Sequence, residues 1–144
     1  MLTNKICYNV GDQTKVNNCV QKINTLKDSK QPWYMQCSLL IPHPAFDTNQ
    51  TWLASVNTSD ISIPTWINES SFHPYDNYMS ISKDVWGQFS DSDIQKLRES
   101  YYAMNVEADN LLGQVIDAMA ANGFNLSNTI IYFTADHGEM KYGS

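Results

Sequence analysis

Residues Asn128–Met140 read NTIIYFTADHGEM. The run from Thr129 to Thr134 is apolar and rich in β-favouring residues. It passes at once into Ala135, Asp136, His137 and Gly138. A short apolar run of this length, bounded by turn residues, predicts a buried strand. A carboxylate, an imidazole and a glycine would then sit at its carboxyl end.

Upstream, Ile94, Leu97, Tyr101, Met104, Ala108, Leu111, Val115 and Met119 recur at steps of three and four. That spacing predicts one long amphipathic helix over 93–121. Ser90 and Asp93 resemble a capping box, with Asp in place of the usual Glu or Gln. Asn122-Gly123 is a stop signal. Further upstream, residues 33–41 form a second apolar run between Pro32 and Pro42, also predicted as a strand buried on both faces. Strand, long helix and strand imply an α/β fold with a mostly parallel sheet flanked by helices. In such sheets ligands sit outside the carboxyl ends of the strands.

The remaining chain is less patterned. Val16, Cys19, Val20, Ile23 and Leu26 predict a short helix ending near Lys27, followed by a turn into Pro32. Residues 43–92 carry Pro, Trp, Ser, Asn and Asp without long periodicity, and read as a long excursion of short turns.

The chain of 144 residues suffices for one domain with a core. Its net charge of −6 and single arginine, Arg98, argue against a nucleic-acid surface. No apolar run approaches the roughly 20 residues of a membrane span. The first 15 residues carry no signal-peptide core, so the protein is cytosolic or its true N-terminus lies upstream. Sequons at Asn49, Asn57, Asn68 and Asn125 favour the second option, with a lysosomal or secreted protein. Of the three cysteines, Cys37 lies in an apolar run and reads as a buried thiol. Cys7 and Cys19 could pair. Nothing in the sequence sets an oligomeric state.

If the two strands are parallel, His43, Asp136 and His137 converge on one rim. Asp136 could hold a hard divalent cation through oxygen. His137 could ligate a softer metal, or hydrogen-bond an anion beside it. The same residues also suit a plain turn, since Asp tolerates turn geometry and Gly supplies positive φ. On that reading the chain is a non-catalytic α/β protein.

The segment NTIIYFTADHGE resembles a signature region of the sulfatases, in the alkaline-phosphatase-like superfamily. LLIPHPAF, residues 39–46, resembles that family's Pro-His-x-Pro segment, and LRESYYAMNVEADNLLGQVIDAM, residues 97–119, its Tyr-Tyr-Ala helix. The three occur in the family's order, within 30–142. IPTW at 63–66, HPYDNYMS at 73–80 and YYAMNVEADNLLG at 101–113 resemble a lysosomal branch that acts on glucuronate 2-sulfate.

The resemblance implies a sulfuric ester hydrolase with a sulfated small-molecule or glycan substrate. Asp136 would ligate calcium, and His137 would lie beside the metal and the sulfate. His43 would contact the sulfate or the leaving oxygen, as hydrogen-bond donor or general acid. Asp109 would be structural. His73, which matches only the branch, reads as a turn histidine.

The departures shape the expectation. The family nucleophile is a formylglycine made in a Cys-x-Pro/Ala-Ser-Arg motif, and none of Cys7, Cys19 and Cys37 is followed by that pattern. The early Asp-Asp metal pair has no counterpart, and Lys141 lies too close to Asp136 to match the family's later lysine. Residues 1–144 are therefore expected to be the central part of an N-terminal catalytic domain, inactive alone. The alternatives are a phosphoesterase of the same superfamily, with Thr or Ser as nucleophile, and a degenerate paralogue without catalysis.

Overall fold

The structure, a computed structural model, describes residues 11–65, 69–83 and 89–139. Its elements are α1 (Asp12–Leu26), α2 (Gln50–Leu53), α3 (Pro74–Ser82) and α4 (Asp91–Ala121), with single 3-10 turns at Thr58–Asp60 and Glu69–Ser71. They belong to two compact units. One holds the chain up to Pro44 with Asn105–Thr134, and the other holds Ala45–Met104 with Ala135 onward.

Helix α4 forms where its apolar stripe predicts. Ile94, Met104, Leu111 and Met119 are buried, and Leu97, Tyr101, Ala108 and Val115 are half-buried. Its start is closed reciprocally. Asp93 N–H donates to Ser90 Oγ at 3.2 Å, while Asp93 Oδ2 accepts from Ser90 N–H at 3.1 Å. Asp is thus long enough to complete the box. Its end is a Schellman motif: Gly123, at φ 82°, donates to Ala120 O, and Phe124 N–H donates to Met119 O. Only a residue that tolerates the left-handed region fits the Gly123 position without strain.

In the first unit, α1 buries Val16, Ile23 and Leu26. It runs parallel to the second half of α4. Gln13, near its start, donates to Gln114 Oε1 at 2.7 Å, and Asn24, near its end, accepts from Asn122 Nδ2 at 2.8 Å. Each of the two parallel helices is followed by an apolar run, and Trp33 meets Phe124 edge to face at 5.1 Å.

The sheet itself is not formed among the described residues, which contain no β-ladder. Nor are the two runs buried on both faces, as their composition suggests. Exposure alternates along 33–41, with Tyr34 75% and Leu40 62% exposed on one side. That is the two-residue period of a strand with one face covered. Ile130, Tyr132 and Phe133 are 78%, 88% and 77% exposed. A central strand is buried by neighbours on either side, and among the described residues α1 and α4 supply only one covering layer.

Two further expectations are corrected. Cys37 is not a free thiol, because it forms a disulfide with Cys19, Cα–Cα 6.2 Å. Cys19 is thereby unavailable to Cys7, which lies outside the described residues. The partners face one another only once α1 packs against 33–41, so local sequence cannot pair them. Among the described residues of 43–92 the chain forms α2 and α3 as well as turns, ahead of the start of α4. Asn49 caps α2 by accepting from Thr51 and Trp52 N–H, and His73 caps α3, with Pro74 in its first turn. Helix α3 is only nine residues long and buries no side chain.

The second unit buries Ile61, Ile94, Ala103 and Met104. Phe46 meets Tyr101 edge to face at 5.6 Å.

Candidate functional site

His43 stands at the end of the first apolar run. A turn carries it there: Ile41-Pro42 is a cis peptide, and His43 N–H donates to Leu40 O at 2.9 Å. The imidazole is exposed. Its Nδ1 lies against Pro44 O. A carbonyl oxygen has no proton to give, so Nδ1 carries the hydrogen and Nε2 is the other ring nitrogen. Neutral, that nitrogen accepts; protonated, it donates to an anion.

His137 repeats the arrangement in the other unit. Its Nδ1 lies 3.0 Å from Gly138 O, which again places the hydrogen on Nδ1. Its backbone N–H donates to Asp136 Oδ1 at 2.9 Å, folding the carboxylate back over the turn. Nε2 then lies 3.8 Å from Asp136 Oδ2. The bond to Gly138 O and the Asp136 charge both favour the protonated ring and raise its pKa above the ordinary histidine value. Both side chains are largely exposed, Asp136 88% and His137 67%.

The pair fits part of a cation's shell. One carboxylate oxygen suits a hard divalent ion, and an imidazole fixed through Nδ1–H···O=C is oriented as metal-bound histidines are. Two donor atoms 3.8 Å apart can share one ion, as part of a shell. They do not complete the six to eight oxygens of calcium. Among the described residues no group of three or more His, Cys, Asp or Glu forms a metal cluster.

Asp136 and His137 are brought together, as their adjacency requires. His43 belongs to the first unit and they to the second. His73 has a local structural role, its Nδ1 accepting from Tyr75 N–H at 3.2 Å. Asp109 is exposed on α4. Asp12, which sequence reasoning passed over, binds the backbone that carries His43. An acid in the first turn of a helix was its only visible signal.

Comparison with known proteins places these residues in context. The family model described as Sulfatase matches residues 3–144, nearly the whole chain. The chain belongs to the sulfatase family. As a sulfatase-family chain it is similar to Arylsulfatase K of Danio rerio, 33% identical over 145 residues, covering 91% of this chain and 28% of that protein. It is 34% identical to Arylsulfatase K of Bos taurus, covering 89% and 27%, and 37% identical to that of Gallus gallus, covering 76% and 23%. The chain thus spans about a quarter of the length of these curated relatives. No solved structure matches it. Sulfatase membership implies the alkaline-phosphatase-like fold; the described residues are helical and form no sheet. No helix among the described residues is long and apolar enough to cross a membrane.

Proposed function

We propose that the full-length protein is a calcium-dependent sulfuric ester hydrolase of the lysosome or secretory route, acting on a sulfated sugar such as glucuronate 2-sulfate. The observation that carries this is the family match over 3–144; the His43 and Asp136-His137 turns are read as its site by their resemblance to the family's segments. The relatives' name, Arylsulfatase K, favours a sulfate ester over the phosphate ester of the wider superfamily.

In this reading residues 1–144 are the central part of the catalytic domain. The runs 33–41 and 129–134 are neighbouring strands of a mostly parallel sheet, whose other strands come from the rest of the protein. Asp136 gives a carboxylate oxygen to calcium, with His137 beside it. The ion would supply a fixed positive charge for the sulfate oxygens. The expected formylglycine would supply the nucleophile, from a motif none of Cys7, Cys19 and Cys37 carries. His43 contacts the sulfate or the leaving oxygen as hydrogen-bond donor or general acid, and His137 lies beside the metal and the sulfate. Both rings already have Nδ1–H engaged with a carbonyl, so Nε2 is the atom that works.

The test uses full-length protein and a sulfated uronate substrate. His43→Ala and Asp136→Ala should each cut sulfate release by about 100-fold or more. Asp136→Ala should also weaken calcium binding, and unchanged calcium affinity would sink that assignment. Phosphate release in place of sulfate release would support the phosphoesterase reading. Residues 1–144 alone should release neither; sulfate release by them would contradict the proposal.

A further inference from the structure

The turn that delivers His43 is fastened to a carboxylate far earlier in the chain. Asp12 is the first residue of α1. Leu40 N–H is shared between its Oδ1 at 3.1 Å and Oδ2 at 3.0 Å. Ile41 N–H donates to Oδ2 at 2.8 Å. Lys15, one turn along α1, donates to Oδ1 at 2.6 Å. The Asp12 side chain is only 14% exposed.

The geometry of the peptide unit gives these bonds a consequence. Ile41 N–H and Leu40 C=O belong to one planar group and point in opposite directions. Asp12 holds the N–H edge of that plane. The other edge, Leu40 O, accepts His43 N–H at 2.9 Å and closes the turn. Fixing one edge therefore fixes the other, and with it the point from which the imidazole projects. The Cys19–Cys37 disulfide joins the same segment to α1 a few residues earlier, so it cannot slide along the helix.

Burial pushes the Asp12 carboxyl up. The bonds from Lys15, Ile41 and Leu40, with the Lys15 charge, outweigh it and hold the pKa below the ordinary carboxylate value. The carboxylate form is the one that grips the turn. A solvated acid that merely suited the helix dipole would not engage two amides of another segment.

We propose that Asp12, held by Lys15, is a positioning residue for His43: it clamps the Leu40–Ile41 peptide plane and so sets where the imidazole points. This rests on the reading of His43 as a site residue. Asp12 touches neither substrate nor metal in this role, and acts only through the turn.

The experiment is a double-mutant cycle in the full-length protein, with amide exchange beside it. Asp12→Asn keeps the shape and removes the charge. Exchange at the Leu40 and Ile41 amides should quicken about tenfold or more, while amides inside α1 stay unchanged. Sulfate release should fall by a similar factor, chiefly in kcat. In a His43→Ala background, adding Asp12→Asn should cause no further fall. Lys15→Met should move both readouts the same way by less, and serves if Asp12→Asn does not fold. Unchanged exchange at Leu40 and Ile41 would overturn the clamp. Additive losses in the cycle would overturn action through His43. Parental activity of His43→Ala would remove the site reading and the positioning role with it, while quickened exchange would still show the clamp itself.

Discussion

The two apolar runs end in similar turns but are held very differently. Residues 33–41 are joined to α1 by a disulfide and by the Asp12 carboxylate, and every second side chain is partly covered. Residues 130–134 are exposed on both sides, although the helix before them is the longer and better capped of the two. The difference separates two sources of order. The first run is fixed by bonds made within this chain. The second, in the sulfatase reading, takes its burial from strands supplied elsewhere in the protein. His43 therefore has a built support, whereas Asp136 and His137 present a folded-back carboxylate and an oriented ring on a largely exposed turn.

The comparison can be broken at several points. The largest effect is expected at the core behind the first run. Ile23 is fully buried, so Ile23→Ala should cost about 2–5 kcal/mol in urea unfolding. Tyr132→Ala, at an 88% exposed position, should change the stability of residues 1–144 by less than about 0.5 kcal/mol. In full-length protein the same Tyr132→Ala should cost several times more, about 2 kcal/mol or above, if a completed sheet buries the ring. Equal small losses in both would count against that sheet.

Removing the disulfide comes next. Cys19→Ser with Cys37→Ser opens a crosslink across a separation of 18 residues. The expected loss is about 3 kcal/mol, read as a lower urea midpoint. A mass spectrum showing both thiols alkylated without prior reduction would refute the pairing itself. A smaller effect is expected at the start of α4, where Ser90→Ala removes half of the reciprocal cap. Thermal unfolding should report a loss of about 1 kcal/mol.

The smallest predicted effect is the contribution of Asp12 to acid sensitivity. Its pKa is lowered in the fold, so the unfolded chain binds the proton more readily. The stabilisation is complete above the unfolded carboxylate value and is lost as pH falls through the lowered folded value. Circular dichroism on acidification should show Asp12→Asn losing less stability than the parent over that window. An identical acid transition would remove Asp12 from the account.

Much of the helical framework was legible because its causes are local. The stripe from Ile94 to Met119 repeats with the helical period, Ser90 and Asp93 face each other across one turn, and Gly123 supplies the left-handed stop. The candidate site was legible only as two turns with histidines at the ends of apolar runs. Its support was not. Asp12 and Ile41 are 29 residues apart, and no periodicity connects a helix-start acid with an amide in another segment. Helix α3 is the opposite case: its cap is local, but at nine residues it is too short for the pattern of Tyr75, Tyr78 and Met79 to stand out from a turn-rich stretch.

The sequence by itself determined the amphipathic helices, the order of the family motifs and the residues that stand in the two turns. Each follows from spacing and side-chain chemistry within a few residues. Only the tertiary structure decided that Cys19 pairs with Cys37, that α1 runs parallel to α4, and that Asp12 grips the backbone ahead of His43. Those are contacts between segments distant in the chain. They exist because burying the apolar faces of α1 and α4 brings such segments within bonding distance, which short-range sequence pattern does not encode.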